Sequence, residues 1–410
     1  MSSTYRVGPG DTFETASRRA YGSAQHAGTI AGANPGVSEP LTVGSVLVVP
    51  ALPLQPPNAS AGAPSQTQNE VAVLVDGKRF RFWSDLRLAR SLDAMDTLEF
   101  SAPFEADAPG FREAFRPFSF KPVTVTVGGA VLFTGTMVGV SPSLSPDQKS
   151  ISVSCYSRPG VLNDCTAPAS AYPVEFNGQA LPAIASALCG PFGLAVEFTA
   201  PAGPAFERVA AKPGAKVLSF LSDLARQRSL VISSTPEGRL LFQQSAAPSG
   251  PAAILRQGES PLVGVSPMFS PQQYYSDITG LEAVVVGTRG SQYTVKNPHL
   301  AGVLRPLTFE SPDVQGGDIK DAVAAKAGRM YGNMVSYSVL VDTWRDSFGD
   351  LWKPNTAVQM EAPGAMVYTP YTFILRSVRF SRDGSKESAD LDLVLPGSFN
   401  GQTPETLPWD

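Results

Sequence analysis

The chain has 410 residues, a formal net charge of −4, 17% charged residues, and 37 glycines and 37 prolines. This length predicts about two to four domains. The acidic balance gives no indication of nucleic-acid binding, so no sequence-specific nucleic-acid partner is expected. Three cysteines without a C-x-x-C pair and two histidines argue against a zinc site, and we expect neither a metal nor a cofactor.

Neither a signal peptide nor a membrane span is expected. The first residues lack the charged and apolar regions of a signal peptide. No window reaches the roughly 18 apolar residues that a membrane helix needs. The sparse use of cysteine suits folding in a reducing cytoplasm.

Residues 1–52 are predicted to form a small module of two strands and two helices. Alternating apolar residues mark the strands, a polar residue can cap the first helix, and glycine and proline end the helices. The residues that carry this pattern are Tyr5, Val7, Asp11, Thr12, Gly22, Asn34, Pro35 and Val46–Val49. Together they resemble a LysM module, a family that often binds N-acetylglucosamine chains in a groove between two loops.

The resemblance places a binding groove, for a sugar or for a protein, on the two loops of the module. Its candidate residues are Gly10, Asp11, Thr12, Phe13, Ile30, Asn34 and Pro35. Gly28 stands where LysM modules often carry an aromatic residue. A sugar site needs such a ring for stacking, so a role as a protein connector is favoured, with peptidoglycan binding as the alternative.

Residues 53–69 are predicted to be a linker. The segment consists mainly of Pro, Ala, Ser and other small polar residues. Such residues cannot bury enough apolar surface to offset the entropy that ordering costs. We therefore expect a semi-extended tether between the module and the rest of the chain.

Residues 70–165 are predicted to be all-β. Apolar runs of strand length are closed by Asp76-Gly77 and Gly128-Gly129, which are typical of hairpin turns. A further turn is expected at 145–147. The predicted strands are Val71–Val75, Thr97–Ala102, Val123–Val127, Val131–Val140 and Ile151–Tyr156.

Residues 166–253 change to a mixed pattern. Apolar residues at helical spacing predict helices over Leu181–Cys189 and Lys216–Gln227. Two short strands, Leu230–Ser233 and Leu240–Gln243, follow. The pattern indicates a small α/β domain.

Residues 254–400 return to strands, and 401–410 are predicted to be a surface tail. One long strand is expected over Ser276–Gly287 and one helix over Asp318–Tyr331. A β-meander then closes the unit. Its predicted strands are Ala357–Glu361, Tyr371–Ser381 and Ala389–Leu395.

Three motifs within residues 70–400 resemble the baseplate hub proteins of contractile phage tails, the Mu-like tail protein and late control family. They are the A-R-S-L-D run at Ala89–Asp93, the G-x-x-W-x-P-N run at Gly349–Asn355 after Trp344, and the closing D-L-x-L-V-x-P-x-x-F run at Asp390–Phe399. The spike-tip proteins of type VI secretion share this architecture.

The resemblance implies a mainly β (α+β) chain in which a LysM module is followed by two tail-tube-like β-barrels with a small α/β domain between them. It implies a homotrimer whose six barrels form a pseudo-sixfold ring between the tail tube and the threefold central spike. Expected partners are the tail tube or a tube-initiator protein, the central spike, the baseplate wedge proteins and the tape-measure protein. The expected location is the virion, after assembly in the host cytoplasm.

The competing hypothesis is a LysM-containing, peptidoglycan-binding tail lysin or cell-wall hydrolase. A cysteine peptidase needs a cysteine and a histidine in contact, and a glycosidase needs two carboxylates across one cleft. No local motif marks either arrangement, so no enzyme and no catalytic residue are expected.

Two aromatic groups are expected to pack in cores. Phe111, Phe115, Phe118 and Phe120 form one cluster in the sequence, for which a contact with a neighbouring subunit is the alternative. Trp344 and Trp352 form the other.

Overall fold

The computed structural model describes residues 3–21, 27–50, 69–103, 109–144, 149–245, 250–282, 290–300, 302–311, 319–384, 386–397 and 406–410. The predicted linker up to residue 68, the turn at 145–147 and the helix end at Gly22 lie outside these ranges.

The N-terminal module has the predicted order of elements. They are β1 (Ser3–Arg6), α1 (Phe13–Tyr21), α2 (Ala27–Ala33) and β2 (Val46–Val49). The two strands pair antiparallel, with Tyr5 opposite Leu47. Ile30 and Leu47 are fully buried in a core that belongs to the module.

The next segment forms seven strands and one short helix. These are β3 (Val71–Val75), β4 (Lys78–Phe80), β5 (Asp85–Ser91), β6 (Thr97–Pro103), α3 (Pro109–Ala114), β7 (Pro122–Val127), β8 (Ala130–Leu144) and β9 (Lys149–Ser157). All five strands predicted for this segment are present. The Asp76-Gly77 turn has φ of 54° and 73°, values that suit Asp and Gly.

The middle segment folds around a core of its own. Its elements are α4 (Val161–Asp164), β10 (Glu175–Gln179), α5 (Leu181–Cys189), β11 (Val196–Phe198), β12 (Phe206–Ala210), α6 (Val217–Arg226), β13 (Val231–Ser234) and β14 (Leu240–Gln243). Both predicted helices are found, because their apolar stripes face this core: Leu181, Ile184 and Leu221 are fully buried.

The last segment returns to strands. It contains β15 (Ala253–Arg256), β16 (Leu262–Phe269), β17 (Asp277–Glu282), β18 (Gln292–Lys296), β19 (Pro306–Ser311), α7 (Ile319–Met334), β20 (Val335–Val341), β21 (Ala357–Ala362), β22 (Val367–Asp383) and β23 (Lys386–Val394). The predicted long strand is β17 as far as residue 282, and its remainder to 287 lies outside the described ranges. Val323 of α7 packs closely on β17, because Gly280 has no side chain: a Cβ there would lie 2.3 Å from Val323 Cγ2.

Two separate closed barrels were predicted, and among the described strands no closed barrel is present. Thirteen strands from both halves of the chain instead form one sheet, whose main path runs β16-β20-β23-β22-β5-β6-β9-β8-β7-β3-β4. The link is β22, which is 17 residues long and therefore has room for several partners. Its first part pairs with β21, and its last part pairs with β23 and β5.

The predicted surface tail is also corrected. Leu407 is only 5% exposed and belongs to the core of the large sheet. The Trp409 ring lies 5.4 Å from that of Phe269, and the Tyr371 hydroxyl donates a hydrogen bond to the Thr406 carbonyl at 2.8 Å. Apolar burial therefore holds residues 406–410 against the body.

Candidate functional site

In the N-terminal module, the loop before α1 is held by Asp11. Its buried carboxylate accepts hydrogen bonds from the Tyr5 hydroxyl at 2.5 Å and from the Gly8 N–H at 2.7 Å. These bonds, that from Tyr5 foremost, lower the pKa of Asp11. Thr12 rather than Asp11 caps α1, because its hydroxyl accepts from the Thr15 N–H at 3.2 Å.

Three further groove candidates point into the module. Ile30 is fully buried and Phe13 is 8% exposed. The Asn34 amide donates to the carbonyls of Ile30 and Val48, at 2.7 and 2.8 Å, and accepts from the Val48 N–H at 2.7 Å. These side chains therefore hold the fold, and a ligand in the groove would meet mainly the backbone.

Several apolar side chains are exposed on the module. Among the candidates, Gly10 and Pro35 are exposed and Thr12 is half-buried. Val46 and Val48 on the outer side of β2 are 58% and 44% exposed. Val37 and Val43 are also exposed. No aromatic ring is among the exposed large apolar residues in the described part of this module.

The side of the large sheet that faces away from its hydrophobic core is named the polar face. Because strand residues alternate, the residues between the buried ones line it. One cross-strand row spans seven neighbouring strands taken from both halves of the chain. It reads Leu340, Asp390, Arg379, Ala89, Thr97, Tyr156 and Thr136. The neighbouring row consists of Ser388, Ser381, Arg87, Glu99, Ser154 and Gly139.

Small residues and paired charges dominate this face. Arg87 lies opposite Glu99, Arg379 opposite Asp390, and Lys386 opposite Asp383. Asp85 and Asp392 are further carboxylates on the same side. Among these named residues five carboxylates accompany three cations, so their net charge is negative and disfavours tight binding of a phosphate backbone.

The middle segment is joined to the large sheet by buried polar groups. Gln243 donates to the Leu92 carbonyl at 3.4 Å and to Ser233 Oγ at 2.8 Å, and it accepts from Asn355 at 3.2 Å. Apolar contacts among Leu92, Ile374, Val394 and Val231 lie in the same junction. The junction therefore fixes the middle segment on the sheet.

Asp96 is the most perturbed acid of this junction. Its N–H donates to Ser234 Oγ at 3.1 Å, and its carboxylate lies 3.2 Å from Arg90 Nε. Burial, only partly opposed by Arg90, raises the pKa of Asp96 to about 6. Such a shift occurs in catalytic acids, but here the group is sealed from solvent at 1% exposure.

The thiols lack the environment of nucleophiles. Burial raises the pKa of Cys155 and of Cys189 to about 12, so both stay protonated at neutral pH. Within the described ranges no group of His, Cys, Asp and Glu could hold a metal ion. No helix in that part of the chain is long and apolar enough to span a membrane.

The structure agrees with some of the aromatic predictions and contradicts others. Trp344 and Trp352 are buried, as predicted. Phe115 is buried and Phe111 packs on it with ring centroids 4.7 Å apart. The core prediction is wrong for Phe118 and Phe120, which are 86% and 57% exposed because their backbone turns them outward.

Several residues that shape these surfaces were not singled out from the sequence. Gln243 and Asp96 carry no local motif for the junction, since the partners that join the segments, Leu92 and Ser234, lie more than a hundred residues away from them. Asn69, the last residue of the predicted linker, contacts Arg345 at 2.8 Å and Glu387 at 2.9 Å and so belongs to the body. A cavity of about 290 Å³ lies nearby, lined by Val71, Arg79, Phe80, Arg81, Trp83, Ser84, Arg382 and Gly384.

Comparison with solved structures shows a fold like that of phage tail proteins. A 43 kDa tail protein of prophage MuSo2 from Shewanella oneidensis superposes with a TM-score of 0.70 at 24% identity, over 80% of this chain and 99% of that one. The tail protein from Neisseria meningitidis MC58 gives a TM-score of 0.68 at 20% identity, over 81% and 98%. A component of the E. coli type VI secretion system gives 0.52 at 13% identity, over 81% of this chain and 79% of that one.

Sequence comparison finds similarity to phage baseplate hub proteins. Residues 159–244 match the family model described as baseplate hub protein gp44-like, second domain. The baseplate hub protein gp44 of Escherichia phage Mu is 22% identical over 388 residues, 83% of this chain and 99% of that protein. The chain is thus a relative of the phage baseplate hub proteins, which confirms the predicted resemblance and the predicted location in the virion tail. Nothing in these findings supports the lysin hypothesis.

Proposed function

We propose that three copies of this chain form the hub ring of a contractile tail baseplate. The ring would join the sixfold tail tube, or a tube-initiator protein, to the threefold central spike. Wedge proteins would contact its rim, and the tape-measure protein and then DNA would pass through its channel. A related injection machine would use the same ring without DNA.

The observation that carries this proposal is the polar face. Strands from both halves of the chain contribute to it in register, so each copy offers one continuous wall. Small residues and charges in opposed pairs give a wall without strong sites for a moving polymer. Free cations would bind phosphates tightly, and that would retard DNA.

Charge reversal on this face tests the channel. Particles whose hub carries Glu99→Lys, Asp390→Lys and Asp392→Lys should assemble but eject DNA more slowly, and the delay should shrink at high salt. The matched control places three lysines on the middle segment, at Asp223, Glu207 and Glu237. Equal ejection rates for both sets would contradict a channel role of the polar face.

For the N-terminal module we propose a LysM fold that serves as a connector to an adjacent baseplate protein. The exposed valines on and beside β2 favour a protein contact, and Gly28 leaves no ring for sugar stacking. About 70 residues, 17% of the 410, lie outside the alignment with the Mu hub protein, which is itself covered almost completely. This is the combined length of the predicted module and linker, so we regard them as an addition to the common hub.

The connector proposal has a direct test. Val46→Ser with Val48→Ser should weaken incorporation of the hub into baseplates, while the buried Ile30 and Leu47 keep the module folded. Binding of full-length protein to purified peptidoglycan should be as weak before the change as after it. Micromolar binding to peptidoglycan, together with normal incorporation of the variant, would overturn the connector.

A further inference from the structure

We propose that the copies dock head to tail through two unlike surfaces at the two ends of the large sheet. A basic and aromatic surface beside β4 of one copy would pack on the acidic edge of β16 of the next copy. The inference rests on the ring proposed above and names the contacts that would close it.

The first surface, named the aromatic end, surrounds β4 and the loop after α3. Phe82, Phe118 and Phe120 are 70%, 86% and 57% exposed. The two parts lie close together, because the ring of Phe80 contacts both. Its centroid lies 6.1 Å from that of Phe82 and 5.0 Å from that of Phe115. A soluble monomer rarely exposes so many large rings together, so such a patch marks a contact surface.

The backbone holds two of these rings outward at a cost. Phe118 and Phe120 have φ of 58° and 47°, in the left-handed region that bulky residues avoid. Strain of this kind is typical of functional positions. Packing within the chain alone would favour a relaxed backbone with buried rings. The strained loop therefore indicates that these rings contact another molecule.

The aromatic end carries excess positive charge. Its acids are already occupied: Glu70 binds Arg79, while Asp76 and Glu113 lie 4.0 and 3.2 Å from Lys121. The exposed cations Lys78, Arg81 and Arg116 have no ion pair with any described residue.

The second surface, named the acidic edge, is the side of β16 that faces away from β20, its one partner among the described strands. Val263 and Met268 are 60% and 64% exposed. Glu259 and Asp342 flank the start of the strand, because the Leu262 N–H donates to Glu259 and the Asp342 N–H donates to Pro261. Pro267 lacks an N–H, so we expect side-chain packing here and not the addition of a strand.

The acidic edge also carries excess charge, here negative. Arg256 lies 3.9 Å from Glu259 but is shared with Glu361 at 3.8 Å. Asp342 has no ion pair with any described residue. Each end of the sheet thus combines exposed apolar groups with an excess of one charge, and the signs are opposite.

This complementarity selects a second copy of the chain as the occupant. A closed ring requires heterologous contacts between unlike surfaces, and the two terminal strands of one sheet supply them. Opposite potentials favour the pairing of unlike ends and disfavour the pairing of like ends.

Charge reversal with rescue tests the inference in the full-length protein. Arg81→Glu with Arg116→Glu should weaken trimer formation by roughly 10- to 100-fold. Glu259→Lys with Asp342→Lys should do the same. The chain that carries all four changes should recover trimers, because the attraction is restored with its signs exchanged.

The readout is the mass of each variant by sedimentation over a range of concentrations, with and without the spike protein. Circular dichroism and thermal melting establish that each variant is folded. Arg208→Glu with Arg226→Glu, on the middle segment, alters the net charge equally and should leave the trimer intact.

The outcomes separate the two proposals. Two results would overturn the docking surfaces and leave the hub ring standing. One is a wild-type trimer together with double variants that trimerise equally well. The other is a variant with all four changes that stays folded but monomeric. Wild-type protein that remains monomeric even with the spike would overturn both.

Discussion

Replacement of the buried Asp96 by asparagine should change how stability depends on pH. The carboxyl has a pKa of about 6 in the folded protein, compared with its ordinary value of 3.8. A raised folded-state pKa means that the protonated form is favoured by folding. The associated stability is present below pH about 4 and is lost as pH rises through about 6.

The magnitude follows from the shift. A shift of about two pKa units corresponds to roughly 3 kcal/mol at a pH above both values. Asparagine resembles the neutral carboxyl and cannot ionise, so it escapes this loss. About 1 kcal/mol of this loss has already occurred at pH 4.5. We therefore expect the variant to gain about 2 kcal/mol of stability relative to the wild type between pH 4.5 and pH 8.

Urea denaturation at several pH values, followed by tryptophan fluorescence, measures this difference. Trp344 and Trp352 are buried in the large sheet and report on the unit that holds Asp96. Asp223→Asn, at an exposed site on α6, is the control for the replacement of an aspartate by asparagine. A difference between variant and wild type that stays constant with pH, or that falls as pH rises, would refute the burial argument.

Four further substitutions test the fold. Trp344→Phe should lower the free energy of unfolding by about 2–4 kcal/mol, because a buried indole N–H that donates to two strand carbonyls is lost. Urea denaturation measures this loss, and a value below about 1 kcal/mol would contradict the role of the indole. Phe115→Ala should cost roughly 3–5 kcal/mol, whereas Phe118→Ala should stay within about 0.5 kcal/mol, and equal losses would show that the assigned burial is wrong. Asn34→Ala should lower the melting temperature of the N-terminal module while the body melts unchanged, since its three hydrogen bonds lie within the module; differential scanning calorimetry separates the two transitions.

Local pattern predicted the elements well. The helix at Leu181–Cys189 was located to the residue, and that at Lys216–Gln227 to within one residue at each end. Apolar stripes at helical spacing carry this information within one segment. The strands around Gly128-Gly129 were found for the same reason, because the turn and its flanks are adjacent in the chain.

Pairing between distant strands could not be read in this way. The contact of β22 with β5 joins residues nearly 300 positions apart, and no periodicity records it. The two-barrel prediction therefore missed the shared sheet. Leu407 was misjudged for a similar reason, since a short segment gives no sign of the distant core that receives it.

The candidate site was predicted less completely than the elements. The groove residues of the N-terminal module were chosen from a motif, but Asp11, Phe13, Ile30 and Asn34 are among the ones that build its interior. A single sequence cannot show whether a motif residue is needed for the fold or for binding. The outward rings at Phe118 and Phe120 depend on backbone angles that the residue types themselves disfavour.

An electron cryo-microscopy map of the full-length protein bound to its spike would test the hub assignment most directly. We predict three copies of the 43.2 kDa chain around an open channel, with the polar face toward the axis and the aromatic end of each copy on the acidic edge of the next. A monomer on the spike, or a ring whose polar face points away from the channel, would contradict the account.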